Sequence, residues 1–166
     1  MPGYESISQW FDYQLRSTLD GFIWAVHQLP DERWDKLPPQ PLGQWSAADH
    51  VFHILDYEKR LALPTMYQWL GETPVIREKI EEKTEQGLAP IEEMLREFER
   101  VRTVEISLLF KFDPATWNSI RKTAVWGEVS LHWLVCKTYQ HTTEHTHNIL
   151  SLNLFWDRIL ARAARM

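Results

Sequence analysis

Several residue types and patterns are scarce in this chain of 166 residues, and each scarcity excludes a class of protein. Cys136 is the only cysteine, so no disulfide can form within the chain. The six glycines are scattered singly, so no glycine-rich loop is available to cradle a phosphate. The sequence has neither 18 successive apolar residues nor a basic start followed by an apolar run. We therefore expect a soluble, cytoplasmic protein without a membrane partner.

Basic residues are also few and dispersed. The formal net charge is −5 at pH 7, with 18 Lys and Arg against 23 Asp and Glu. No basic block is longer than a pair, apart from the last stretch with Arg158, Arg162 and Arg165. Because nucleic-acid-binding proteins carry clustered Lys and Arg, we expect a small-molecule substrate and no nucleic-acid partner.

Aromatic residues, by contrast, are abundant. Nine Trp, seven Phe and five Tyr make up 13% of the chain, which excludes an intrinsically disordered protein. The length fits one domain of ordinary size, so we predict a single domain over residues 1–166. A chain of this size buries about 68 to 70% of its unfolded surface and can fold without a metal. A bound metal would therefore serve function more than folding.

Apolar residues recur at three- and four-residue steps in four long segments, and none of these alternates with a period of two. This pattern predicts an all-α protein, a four-helix bundle, with helices over residues 6–29, 46–70, 90–113 and 129–163. Ser46 and Asp49 have the spacing of a capping box at the start of the second helix, and Pro64 should kink that helix or end its regular part. Residues 72–88 are polar and charged, and this composition predicts a surface connection with room for a short helix.

The last predicted helix contains two histidines four residues apart, His141 and His145, which stand one turn apart on the same face. They continue the apolar seam of that helix, whereas His132, Cys136 and His147 point away from it. Burying two imidazoles costs free energy unless their nitrogens find partners. A shared metal ion would supply those partners, and hydrogen bonds to core Thr, Asn or backbone groups are the alternative.

A third ligand would come from the second helix, where His50 and His53 both lie toward one edge of the buried side. Periodicity alone does not choose between them. Neutral imidazoles suit zinc, nickel, copper and iron, and catalytic zinc sites often use three protein ligands. Two other metal patterns are incomplete here. The dimetal bundle pattern has only one Glu-x-x-His, and the His-x-x-Glu-His string at residues 141–145 has no Glu after it.

Three features carry a resemblance to a known family. Residues 45–58, Trp-Ser-Ala-Ala-Asp-His-Val-Phe-His-Ile-Leu-Asp-Tyr-Glu, are similar to a segment with Trp-Ser, several helix residues, then His and an acidic turn. The late pair of His141 and His145, followed by Asn148, is similar to a second family motif. The length and the helix layout agree over essentially the whole chain. The sequence thus resembles the DinB family, helical bundles that include bacillithiol and mycothiol S-transferases.

The resemblance implies a left-handed bundle with up-down-down-up topology, frequently a homodimer, and a divalent ion held by His53, His141 and His145. It selects His53 over His50. We expect zinc or nickel as the ion. Some family members activate a low-molecular-weight thiol at the metal, and others isomerise maleylpyruvate with a Glu among the ligands, a pattern that two late histidines do not match.

We therefore predict a metal-dependent enzyme that activates a thiol or a water molecule, of the S-transferase or hydrolase type. The alternative is a noncatalytic interaction bundle whose metal site is vestigial or structural. Tyr57, Glu58 and Asn148 are candidates for lining the pocket or orienting an imidazole. For Tyr57 the alternative is a core position, and for Glu58 it is a surface or partner-facing charge. Glu105 lies in the seam of the third helix, either as a buried partner for an Arg or as a group in the pocket.

Two tryptophans, Trp117 and Trp126, fall in the predicted loop before the last helix, and Trp45 belongs to the entry of the second helix. We predict that some of the loop tryptophans wall the mouth of the metal pocket or a dimer face.

Overall fold

The computed structural model describes residues 6–73, 83–84 and 87–165. Its α-helices are α1 (Ile7–His27), α2 (Ala47–Tyr57), α3 (Leu63–Leu70), α4 (Ile91–Leu109) and α5 (Leu131–Ala163). A π-helical segment (Glu58–Ala62) joins α2 to α3 without a break, so the described residues form four helical rods. This architecture confirms the predicted all-α four-helix fold.

Local chemistry explains both ends of the rod formed by α2 and α3. The Ser46 hydroxyl accepts the backbone N–H of Asp49 at 3.1 Å, and the Asp49 carboxylate accepts the backbone N–H of Ser46 at 2.8 Å. This completed capping box satisfies two donors that the first turn of α2 leaves free. At the other end, α3 closes on Gly71, whose φ of 67° is a left-handed conformation that glycine adopts without strain.

The interruption predicted at Pro64 takes the form of the π-helical segment that precedes it. Proline has no N–H to donate, and its ring collides with the carbonyl group four residues earlier in a regular α-helix. The wider π spacing over Glu58–Ala62 accommodates Pro64 in the first turn of α3. The chain therefore continues as one rod, and the irregular segment begins directly after the part of α2 that carries the histidines.

The contacts between rods define the direction of each helix. Near the start of α1, the Ser8 hydroxyl donates to the carbonyl of Leu109 at the end of α4, so these helices are antiparallel. Phe11, also near the start of α1, lies against His132 near the start of α5, so α1 and α5 are parallel.

Along α2 the contacts with α5 run in the opposite sense. His50 pairs with His145, and one to two turns later Tyr57 packs on His141, so α2 and α5 are antiparallel. Taken together, the directions give the up-down-down-up order. This arrangement places the first turns of α2 beside the middle of α5, where both carry histidines.

The segment before α5 differs from the sequence-based expectation of a loop. It contains an antiparallel hairpin of β3 (Ile120–Thr123) and β4 (Gly127–Ser130), so α5 begins at Leu131, two residues after the start predicted near residue 129. The strands have four residues each, which is too short for a period of two to stand out. Gly127, with φ of 70°, was the local signal for the turn.

Part of the predicted surface connection is described as well. Its β1 (Lys83–Thr84) and β2 (Gly87–Leu88) form a second, shorter hairpin. The short helix expected there falls on residues 74–82 and 85–86, which lie outside the described residues. No helix within the described ranges is long and apolar enough to cross a membrane.

Many of the aromatic side chains pack in the core between the rods. Trp117 is only 2% exposed and stacks on Phe11 at 5.4 Å between ring centroids. Phe22 and Phe98 meet edge to face at 5.5 Å. Trp117 therefore belongs to the core between α1 and α5, not to a pocket mouth or a dimer face.

Candidate metal centre

Three histidines meet between α2 and α5. His53, His141 and His145 each present one ring nitrogen, and these nitrogens all lie within 4.8 Å of one another. The Nε2 atoms of His53 and His141 face each other at 3.1 Å. The four-residue spacing in α5 puts two of the rings on one face, and the antiparallel α2 brings the third to them.

Burial keeps these imidazoles uncharged. It lowers the pKa of His141 from its ordinary value of 6.5 to about 4, and the pKa of His145 to about 3. The neighbouring histidine rings lower both pKa values further, because each disfavours a second positive charge nearby. The pKa of the half-buried His53 is also lowered by burial. At neutral pH each ring therefore has a nitrogen lone pair.

The arrangement fits a divalent metal ion. Zinc binds imidazole nitrogens at about 2.0 to 2.1 Å, so two nitrogens on one ion lie roughly 3 to 3.4 Å apart. The 3.1 Å between His53 and His141 is within that range. In addition, Nδ1 of His141 is buried without a hydrogen-bond partner. Three neutral nitrogen donors suit zinc, nickel, copper or iron, and the cluster contains no carboxylate.

A fourth histidine lies next to this group. His50 is buried, and its Nδ1 is 2.8 Å from Nδ1 of His145. Burial lowers the pKa of His50 to about 4, so this ring is also neutral. His50 is not one of the three residues whose ligand nitrogens group together within the described part of the chain. Sequence periodicity left His50 and His53 open, and the structure brings both to the site in different positions.

Trp45 forms a wall of the cluster. Its ring centroid lies 4.9 Å from that of His53 and 5.8 Å from that of His145, and it is 42% exposed. The residue therefore separates the imidazoles from solvent at the edge of the site. Of the three tryptophans that the sequence analysis considered, Trp45 is the one that lies against the histidines. The half-buried Trp126 contacts Tyr57 instead, with 6.0 Å between their ring centroids.

Two cavities reach the histidines on either side of the Trp45 side chain. The larger encloses about 360 Å³ and has a polar lining that includes Gln44, Trp45, His50, Glu144, His145 and Asn148. The smaller encloses about 220 Å³, and its lining is Trp45, Asp49, Phe52, His53 and Leu88. Asn148, predicted beside the ligands, thus lines the larger cavity.

Tyr57 packs directly against a predicted ligand. Its ring centroid lies 4.3 Å from that of His141, and the side chain is 6% exposed. The hydroxyl lies beside Thr138 without a hydrogen bond of acceptable geometry, and burial raises the pKa of this phenol. Tyr57 therefore packs on the His141 ring as a core tyrosine, and it is not among the residues that line the two cavities described above.

One buried arginine, Arg102, makes hydrogen bonds to several helices of the bundle near the histidines. Arg102 is fully buried, and all five of its N–H donors have acceptors. Its Nε and Nη2 donate to the Glu58 carboxylate, and Nη2 also donates to Thr142. Its Nη1 donates to the carbonyl of Leu15 and the hydroxyl of Thr18. The guanidinium thus connects α1, the π-helical segment, α4 and α5.

This network corrects the role predicted for Glu58. The carboxylate was expected to orient an imidazole, or else to lie on the surface or face a partner, but it is fully buried and accepts hydrogen bonds from Arg102. Glu105, also fully buried, has Oε2 at 3.3 Å from Nε of Arg102 and makes no hydrogen bond. The structure therefore selects the first alternative for Glu105, a buried partner of an arginine.

Glu58 and Glu105 are two buried carboxyls beside one guanidinium, and their pKa values are raised to different extents. Burial raises the pKa of both, and the two direct hydrogen bonds from Arg102 oppose that rise for Glu58. The pKa of Glu105 lies well above its ordinary value because of burial and the Glu58 charge. The pKa of Glu105 is therefore raised more than that of Glu58, and Glu105 takes up a proton at the higher pH of the two. The sequence signal for this network was Arg-x-x-Glu within the apolar seam of α4.

The sequence model of the DinB superfamily matches residues 14–149. This range covers most of the chain and contains the capping box, the histidine cluster and the buried arginine network. No curated protein matches the chain.

Proposed function

The chain belongs to the DinB superfamily, and on that premise we propose that it is a metal-dependent enzyme whose divalent ion is held by His53, His141 and His145. The supporting observation is the cluster itself, three neutral imidazoles from two helices with nitrogens within 4.8 Å. An ion bound there acts as a Lewis acid and lowers the pKa of a thiol or water molecule that binds to it. The enzyme would therefore activate such a nucleophile.

The residues around the cluster support an S-transferase over a hydrolase. Three neutral imidazoles leave the positive charge of a bound ion uncompensated, which favours an anionic ligand such as a thiolate. Two separate cavities reach the histidines around Trp45, so two small molecules have separate routes to the site. The larger, at about 360 Å³, falls within the range of about 300 to 1,000 Å³ that is typical of small-molecule sites.

Metal content tests the first half of this proposal. Protein purified without a His-tag should contain about one equivalent of zinc or nickel per chain, measured by elemental analysis. His53→Ala and His145→Ala should each lose that metal, because two remaining imidazoles bind far more weakly than three. His147→Ala is the matched control, since His147 is exposed on the same helix. Metal-free parent protein that takes up no added metal and melts at the same temperature with and without it would overturn the proposal.

Turnover tests the second half. The loaded protein is assayed with low-molecular-weight thiols and small electrophiles, and in parallel with small esters and amides. We expect thiol conjugation that disappears with the chelator EDTA and in His53→Ala. Hydrolysis alone would replace the transferase assignment with a hydrolase, and metal binding with no turnover in either set would favour a noncatalytic bundle.

A further inference from the structure

His50 is the one histidine at the cluster that the proposed function does not use. It is 7% exposed, and its Nδ1 lies 2.8 Å from Nδ1 of His145. Its ring also packs on Trp45 at 5.3 Å between centroids. A distance of 2.8 Å is typical of a hydrogen bond and is shorter than the separation of about 3 Å or more between two nitrogens on one ion.

A hydrogen bond between two imidazole nitrogens needs one donor and one acceptor. If the Nδ1–H of His145 donates, its Nε2 keeps a free lone pair. If the Nδ1–H of His50 donates, Nδ1 of His145 is occupied and its Nε2 carries the proton. Only the first arrangement leaves His145 a nitrogen that can bind a metal ion.

We propose that His50 is a positioning residue, whose Nδ1 accepts a hydrogen bond from Nδ1–H of His145 and so presents Nε2 of His145 to the metal. This inference rests on the proposed metal site. Ligand histidines almost always donate their second N–H to a fixed acceptor, usually a carboxylate or a carbonyl, which sets their tautomer and orientation. Here an imidazole takes that place.

The other late histidine shows that this support is specific to His145. Nδ1 of His141 is buried and makes no hydrogen bond, and its ring is held by packing on Tyr57. The face of the His145 ring has a partner as well, because Trp45 stacks on it with an interplanar angle of 27°. His145 is therefore fixed from two directions, by Trp45 across its face and by His50 at Nδ1.

The side chains of asparagine and glutamine separate this role from general packing. The amide oxygen of asparagine can occupy the position of Nδ1 of histidine, whereas the amide of glutamine reaches the position of Nε2. His50→Asn should therefore keep an acceptor for His145, and His50→Gln and His50→Leu should lose it. His147→Leu is the matched control, because His147 is exposed on α5.

The first measurement is the zinc dissociation constant of untagged protein, by competition with a chromophoric chelator. We expect His50→Leu and His50→Gln to weaken zinc binding by about 10- to 100-fold, the usual effect of losing such a partner, while His50→Asn stays within about threefold of the parent. Equal affinity in His50→Leu and the parent would overturn the inference, as would a loss in His50→Asn as large as in His50→Leu. Circular dichroism establishes that each variant is folded.

The second measurement needs no metal. In metal-free protein, ¹⁵N chemical shifts of the His145 ring should show the proton on Nδ1 in the parent and in His50→Asn, and a mixture of tautomers in His50→Leu. A proton on Nε2 in the parent contradicts the inference. If the parent binds no zinc, the proposed function fails, and the ring shifts still decide whether His50 orients His145.

Discussion

The buried arginine network predicts that two identical chemical changes have very different costs. Glu58→Gln and Glu105→Gln each replace a fully buried carboxyl beside Arg102 by an amide of the same shape. Glu58 accepts two of the five guanidinium hydrogen bonds, and Glu105 accepts none. The pair of variants therefore separates the carboxyl that accepts hydrogen bonds from Arg102 from the carboxyl that accepts none.

The magnitudes follow from that difference. Removing one partner of a buried ion pair leaves an uncompensated charge and costs about 3 to 5 kcal/mol, which is a large part of the roughly 5 to 15 kcal/mol that stabilises a typical domain. For Glu58→Gln this corresponds to a fall in Tm of about 6 to 20 °C, at about 2 to 4 °C per kcal/mol for a chain of this size. Glu105→Gln removes no hydrogen bond from Arg102, so below about pH 4, where the carboxyl is protonated in both the folded and the unfolded state, it should change stability by less than about 1 kcal/mol.

The stability of Glu105→Gln relative to the parent should depend on pH in a defined direction. The pKa of Glu105 is raised in the fold above its unfolded value, so its contribution to stability is fully present below the unfolded pKa and is lost as pH rises through the folded pKa. Relative to the parent, Glu105→Gln should therefore gain stability as pH rises from about 4.5. The gain should be absent at lower pH, where the carboxyl is protonated in both states.

Urea unfolding of metal-free protein measures these differences, with tryptophan fluorescence and circular dichroism as independent probes. The double variant tests whether Glu105 ionises and replaces Glu58 when the latter is neutralised. In that case the double variant costs more than the sum of the single variants. Equal costs for the two single variants, or a Glu105→Gln variant whose stability follows the parent at every pH, would refute the assigned order of the two pKa values.

Three further predictions concern the site and the core. Tyr57→Phe removes a buried hydroxyl that makes no hydrogen bond, so thermal melting should show unchanged or slightly higher stability, and a loss above about 1 kcal/mol would contradict this. Trp117→Ala leaves a cavity at a core position that is 2% exposed and should lower the free energy of unfolding in urea by about 3 to 5 kcal/mol. Trp45→Ala should lower it far less, because Trp45 is 42% exposed, and should instead change ligand binding at the histidines. Burial lowers the pKa of His145 to about 3, so the contribution of this histidine to stability is present above its unfolded pKa and is lost as pH falls. Between pH 7 and 4.5 the metal-free parent should therefore lose more stability than His145→Asn.

Much of the site could be predicted from the sequence because its determinants are local. The helical period places His141 and His145 on one face whatever the rest of the chain does. The capping box at Ser46 and Asp49 likewise depends on four consecutive residues. The short β3–β4 hairpin escaped prediction because four-residue strands carry too little periodicity to be recognised.

The sequence by itself determined the helices, the histidine pair and the presence of a third histidine in α2. Helical periodicity left open which histidine of α2 joins the pair, because His50 and His53 are less than one turn apart. The family resemblance selected His53, and the tertiary structure supplies the physical reason, since the register of α2 against α5 puts the two histidines in different positions. Only the tertiary structure decided the roles of Glu58 and Glu105. Which carboxyl takes up a proton at the higher pH depends on where the guanidinium of Arg102 donates, and that is a property of packed helices, not of residue order.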